Sequence, residues 1–233
     1  MKKVAISQSN YIPWKGYFDL IASVDEFILF DDVQYTRRDW RNRNKIKTPK
    51  GLQWLTIPVE VKGKFSQAIK ETKVNDEAWN EKHWASIRHN YRRAPFYEEF
   101  STFFEDLYLS QPMPLYLSEI NFRFLSAICK LLEIQTNITW SMDYGVIEGK
   151  TERLIDLCRK ARATEYWSGP AAKDYFDSEL ARDEGIQIVW MDYSNYPTYP
   201  QLYDGFEHGV SIIDGIMNIG TGIREHFKSK IPL

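Results

Sequence analysis

Residues 4–32 read Val4-Ala5-Ile6-Ser7-Gln8-Ser9-Asn10-Tyr11-Ile12-Pro13-Trp14-Lys15-Gly16-Tyr17-Phe18-Asp19-Leu20-Ile21-Ala22-Ser23-Val24-Asp25-Glu26-Phe27-Ile28-Leu29-Phe30-Asp31-Asp32. A short apolar run from Val4 ends in a polar, proline-containing turn, which is the signature of a buried strand followed by a break. Tyr17, Phe18, Leu20 and Ile21 then recur at helical spacing, and a second apolar run, Glu26 to Phe30, closes the segment. Strand, helix and strand make a βαβ unit, whose parallel strands end at the same edge of one sheet. Gln8, Asn10, Asp31 and Asp32 are therefore expected to gather at that edge, where open α/β sheets carry their ligands.

Outward from this unit the chain becomes strongly basic. Between Arg37 and Lys50 stand seven basic residues and one acid. An extended strand there would set Arg41, Arg43, Lys45 and Lys47 on one face and Asn42, Asn44 and Ile46 on the other. Cations so aligned repel one another unless an anion sits opposite, and arginine suits a phosphate or carboxylate through its planar fork. The other reading is a solvated edge strand whose charges deter aggregation. Interleaved Arg, Asn and Trp40 fit the first better than a lysine-rich edge would. Residues 54–59 and 69–74, around the Lys62-Gly63-Lys64 turn, extend this β character as an antiparallel addition to the sheet.

Periodicity turns helical over residues 77–132, with breaks at Ala94-Pro95 and Gln111-Pro112-Met113-Pro114, so three helices are expected. Strand and helix signals alternate again afterwards: strand 137–141, helix 151–161, strand 165–167, helix 171–182, strand 186–190 and a final helical stretch 209–228 that Gly220 and Gly222 should break. The expected class is α/β, a mainly parallel central sheet built from βαβ units with an inserted helical block. Three segments follow: 1–76 with the motif, 77–132 as the insertion, and 133–233 completing the first.

With 30 Lys+Arg against 32 Asp+Glu, the chain has no general attraction for nucleic acid or an anionic membrane, so any anion site must be local. Cys129 and Cys158 sit in apolar, helix-forming surroundings without CxxC spacing and read as core thiols. No apolar run approaches the roughly 20 residues of a membrane span, and a cytoplasmic protein without membrane insertion is expected. Aromatics stand beside Asn, Asp, Arg or Gly, where they can wall a sugar, base or acyl site, or simply bury area with a polar edge in water.

Four groups could carry chemistry. Asp31 and Asp32 could act as a general base, hold a sugar hydroxyl or bind a divalent cation, or one could cap the following turn and pair with Arg37 or Arg38. The loop after Val4–Ser7 offers the amides of Gln8 and Asn10 with Trp14 beside them; it matches neither a Walker motif nor GxGxxG. Its position is similar to the loop of nucleotidyltransferase-like folds, yet Trp14 and Tyr17 stand near the two histidines of that loop. Ser168-Gly169-Pro170 before Lys173 is either a second anion site or a tight turn capped by Ser168. Among histidines, His83 and His89 are six apart and make no helical metal pair; His89, beside Tyr91, Arg92 and Arg93, is the candidate for acid–base work.

Taken together, QSNYIPWKGYFDLI, FDDVQYTRRDWRNRNKIK, WLTIPV, YRRAPFY and SGPAAKDYF resemble the WbqC-like protein family across essentially the whole chain. The resemblance implies a role in O-antigen or other surface-polysaccharide synthesis, and a site lined by Gln8, Asn10, Asp32, Gln34, Arg38, Asn42 and Arg43. Ser9 stands where the family often has proline. The expected activity is transfer of a small acyl or aminoacyl group to a nucleotide-linked amino sugar, with Trp40 and other aromatics stacking base or sugar and Asp31, Asp32 or His89 accepting a proton. The alternatives are nucleotidyl transfer with magnesium at Asp31 or Asp32, and a non-catalytic accessory protein that binds a nucleotide sugar or glycan.

Overall fold

The computed structural model describes residues 1–145 and 149–229. Strand β1 (Lys3–Ser7), helix α1 (Lys15–Ala22) and strand β2 (Glu26–Leu29) form the expected βαβ unit. The two strands run parallel, Val4 opposite Glu26 and Ser7 opposite Leu29. Ser9 N–H donates to Asp31 Oδ1 at 2.7 Å, so the two strand exits meet as the sequence implies.

Three more strands complete a five-stranded parallel sheet in the order β5-β2-β1-β6-β7: β5 (Asn137–Trp140), β6 (Glu165–Ser168) and β7 (Gln187–Trp190). The chain builds outward from β1 through β2 to β5, then crosses back to add β6 and β7 on the other side. The direction of winding reverses between β1 and β6, and such a reversal opens a crevice beyond the C-terminal ends of the two strands.

Alternation along the strands feeds two cores. Ala5, Phe27 and Leu29 face a layer that includes α1 and the helical block, while Val4, Ile6, Ile28 and Tyr166 face α5 (Thr151–Lys160) and α6 (Ser178–Asp183). The first core takes side chains from all three expected segments, among them Phe18, Phe124 and Ile216, each fully buried. Each such side chain is stabilised by about 2 kcal/mol relative to an exposed one.

The block holds the three expected helices, α2 (Trp79–Tyr91), α3 (Tyr97–Leu109) and α4 (Leu117–Leu131), the last two beginning shortly after the breaks at Ala94-Pro95 and Gln111-Pro112-Met113-Pro114. Helix α7 (Ile212–Ile219), capped by Ser211, ends at Gly220, whose φ of 65° favours glycine and whose space is limited by the Phe96 ring. The chain continues there as 3₁₀ turns instead of the longer helix.

The basic segment forms β3 (Arg43–Thr48), paired antiparallel with β4 (Gly51–Thr56) as a separate two-stranded sheet. Residues 69–74 make a 3₁₀ turn and isolated bridges, Val59 with Val74 among them, in place of a strand. Residues 171–182 likewise divide into a 3₁₀ turn at Pro170–Asp174 and α6, which Asp177 caps through Glu179 and Leu180 N–H.

Candidate functional site

The loop between β1 and α1 is held from several sides. Tyr11 N–H donates to Trp40 O at 3.1 Å, Ile212 N–H to Pro13 O at 2.9 Å, and Asn44 Nδ2 to Ile12 O at 3.0 Å. Tyr17 O–H closes it from α1, donating to Gln8 O at 2.8 Å. Buried Ile12 sits at φ 36°, an uncommon conformation for a β-branched residue that this bracing maintains. A loop so fixed presents its side chains in one arrangement.

Two hollows adjoin it. The first, about 480 Å³, lies at the β1/β6 reversal, lined by Ser7 and Gln8 after β1 and by Ser168 and Gly169 after β6. Arg41, Lys150 and Arg153 also line it, and among the described residues no carboxylate does. The second, about 390 Å³, is aromatic: Trp14, Trp40, Tyr193, Tyr196 and His208 surround the amides of Asn10, Asn44 and Asn195. Tyr193 lines both. Arg41 joins them too, since it lines the cleft while its Nη1 donates to Asn10 Oδ1.

Asp31 and Asp32 are placed differently from each other. Fully buried Asp31 accepts from Ser9 N–H and the Ser118 hydroxyl, fastening the β1 and β2 exits to α4. Burial raises its pKa, and those hydrogen bonds oppose the rise. Asp32 accepts from Ser141 O–H at 2.7 Å and pairs with Arg153 instead of Arg37 or Arg38. The Arg153 guanidinium lies 4.8 Å over the Phe30 ring and is itself a wall of the cleft. Asp32 thus bears on the cleft through Arg153.

The cation run disperses. The Arg43 guanidinium lies 4.1 Å over the Trp54 ring, Lys45 faces Trp54 and Trp40 at 5.1 and 5.7 Å, and buried Lys47 donates to the carbonyls of Tyr203 and Gly205. Trp40 and Trp54 pack with centroids 5.4 Å apart. Of the run, Arg41 reaches the cleft and Trp40 the aromatic pocket.

The remaining expected residues separate. Gln8 and Ser168 line the cleft, and Asn10 and Trp14 the pocket. Asn42 donates to Ile57 O at 2.8 Å and holds the hairpin, and Gln34 donates to Phe65 O at 2.7 Å. Arg38 is an exposed turn residue at φ 58°, and its carbonyl accepts from Arg43. Exposed Lys173 stands 5.9 Å over Trp190. His89 lies on the solvent face of α2 in a shallow depression with Ala85, Arg88, Arg92 and Tyr97, and lines neither hollow. Buried His83 is bound instead into the core, with Nδ1 2.8 Å from Tyr11 Oη and Nε2 3.2 Å from Thr56 O.

The sequence reading missed Lys150, Arg153, Tyr193, Tyr196 and His208. A basic residue in the first turn of the helix between β5 and β6 was the available signal, but its meaning depends on strand order. Lys15 also stands out. Its ammonium, buried, donates to Pro197 O at 2.6 Å and faces the rings of Tyr196, Tyr199 and Phe206 at 5.1–5.5 Å, with desolvation pulling its pKa down to about 8. It pins the segment that forms one wall of the aromatic pocket. His208 is held below its ordinary pKa by burial and by the Lys15 charge, with Glu207 acting in the opposite sense.

Fold and cleft together define a doubly wound α/β protein with a cation-lined crevice at the reversal of its sheet. The chain belongs to the WbqC-like protein family, whose family model matches residues 8–225. It is also 50% identical over 228 residues to a Mycobacterium tuberculosis protein named "Uncharacterized protein Rv1507c", with 98% of each chain covered. No solved structure matches. Among the described residues, no helix is long and apolar enough to cross a membrane.

Proposed function

We propose that the chain is a transferase of surface-polysaccharide precursor synthesis, adding a small acyl or aminoacyl group to a nucleotide-linked amino sugar whose phosphates occupy the cleft between β1 and β6. The observation that carries this reading is the lining of that cleft: among the described residues it carries Arg41, Lys150 and Arg153 and no carboxylate. Guanidinium groups match phosphate oxygens in pairs, and the first turn of α5, which borders the cleft, adds the free N–H groups of a helix start. The surface-polysaccharide setting comes from the resemblance of the motifs to the family.

In the transfer, the amine lone pair forms the new C–N bond to the carbonyl carbon of an activated acyl donor, a thioester or ester. The carbon's bond to its thiol or alcohol leaving group breaks, the pair leaves with that group, and a proton from nitrogen passes to a base. Amines need deprotonation and positioning but no covalent enzyme nucleophile.

Magnesium-dependent nucleotidyl transfer finds less support, because Asp31 and Asp32 are engaged by Ser9, Ser118, Ser141 and Arg153. The test is incubation of purified protein with nucleotide amino sugars and activated acyl or aminoacyl donors, read by mass spectrometry. An acylated sugar lost in Arg153→Lys supports the proposal. Binding of nucleotide sugars with no product across the donor panel replaces it with the accessory-protein reading, and pyrophosphate release from a nucleoside triphosphate replaces it with nucleotidyl transfer.

A further inference from the structure

Among the described residues, none that lines the aromatic pocket is a lysine, arginine or carboxylate, so its walls offer a phosphate no full charge to pair with. Its walls are flat rings, with Trp14 edge-on to Tyr193 and Tyr196 at centroid distances of 5.3 and 5.6 Å and Trp40 lining it as well. Polar atoms at its edge remain available. Asn10 Oδ1 is taken by Arg41, whereas its amide N–H groups donate to none of the described residues. Asn195 and His208 are exposed at the rim. Flat apolar walls with a few amides suit an uncharged ring that has an apolar face and a polar rim.

We propose that this pocket seats the amino-sugar ring of the acceptor, its apolar face against Trp40 and Trp14, its hydroxyls toward Asn10 and Asn195, and its amine toward His208. The assignment rests on the reading above that phosphates occupy the cleft. Tyr193 and the Arg41–Asn10 link then stand where the sugar joins its phosphate. His208 suits the amine because it stands at the pocket rim, and burial and the Lys15 charge lower its pKa, favouring the form whose nitrogen lone pair can accept an N–H.

Calorimetry with four probes tests both assignments separately: inorganic pyrophosphate, glucosamine 1-phosphate, glucose 1-phosphate and uridine monophosphate. Trp40 and His208 are exposed enough to be replaced without opening the core. Trp40→Ala should weaken both sugar phosphates about fivefold or more, the worth of one stacked ring, and leave pyrophosphate within about twofold. Wild type should prefer glucosamine 1-phosphate to glucose 1-phosphate, and His208→Ala should abolish the preference. If uridine monophosphate depends on Trp40 and the sugar phosphates do not, the pocket seats the base and the proposal fails. It also fails if neither sugar phosphate binds at millimolar concentration, whatever pyrophosphate does. Silence of pyrophosphate beside tight, Trp40-dependent sugar phosphate binding removes the cleft assignment and keeps this one.

Discussion

Asp32 and Arg153 form an ion pair between the exit of β2 and the first turn of α5, and Ser141 O–H donates to the second carboxylate oxygen at 2.7 Å. The Asp32 side chain is 3% exposed and that of Arg153 16%, so the arginine has one side toward the carboxylate and another toward the cleft. Removing Arg153 strands a buried charge, which costs about 3 kcal/mol. Arg153→Met should therefore lower stability by about that much, and Asp32→Asn added to it should restore most of the loss. Urea denaturation of the two single variants and the double variant measures the coupling.

Gly16 fixes Trp14 by absence of a side chain. A Cβ there would lie 2.3–2.7 Å from the indole carbons of Trp14, with no positive φ to complicate the comparison. The ring must then leave its place on the pocket wall. Gly16→Ala is expected to cost about 1–3 kcal/mol, typical of overpacking. The same substitution in a Trp14→Ala background should cost nearly nothing, because the colliding ring is gone. Equal losses in both backgrounds would place the effect in the α1 backbone.

These contacts show how unevenly the chain discloses itself. The βαβ unit follows from local patterns, because a run such as Val4–Ser7 has to be buried and Pro13 has to interrupt it. The helices of residues 77–132 are legible for the same reason. Strand order is not legible: that β6 lies beside β1, with β5 at the far edge, is set by packing between distant segments. Arg153 and Lys150 therefore carry no visible meaning until the sheet is assembled. Conversely, the dense cations near Arg43 draw attention because neighbours in sequence are easy to see, while their compensation comes from far away. Trp54 lies across the hairpin and the carbonyls that hold Lys47 belong to Tyr203 and Gly205. Asp31 reads as a ligand group until Ser118, 87 residues on, is seen bonded to it.

His83 should impose an acid sensitivity on the fold. Desolvation lowers its pKa from 6.5 to about 4, so between those values the unfolded chain binds a proton that the folded chain does not. Stability contributed by this site is intact above about pH 6.5 and falls as pH drops toward 4, by up to about 3 kcal/mol. Asp31 and Asp214, whose pKa values burial raises, act with the opposite sign by gaining relative stability on acidification. The difference between wild type and His83→Gln isolates the histidine: the variant's denaturation midpoint should change less than that of wild type from pH 7 to pH 5.

Lys15 and His208 are coupled through charge, and the coupling is open to direct titration. The chain has 4 histidines, His83, His89, His208 and His226, so imidazole resonances are few enough to assign by single substitutions. Lys15→Met removes the ammonium that holds the His208 pKa down, while a methionine keeps the aliphatic stem among Tyr196, Tyr199 and Phe206. The His208 pKa should therefore rise toward its ordinary value, and Glu207, which already acts in that direction, should gain relative weight. Stability should change by less than about 1.5 kcal/mol, because losing the hydrogen bond to Pro197 O is offset by no longer burying a charge that pairs with no carboxylate among the described residues. A His208 titration unchanged in Lys15→Met would mean that the lysine charge does not lower its pKa, and the imidazole at the pocket rim would then owe nothing to the lysine beneath it.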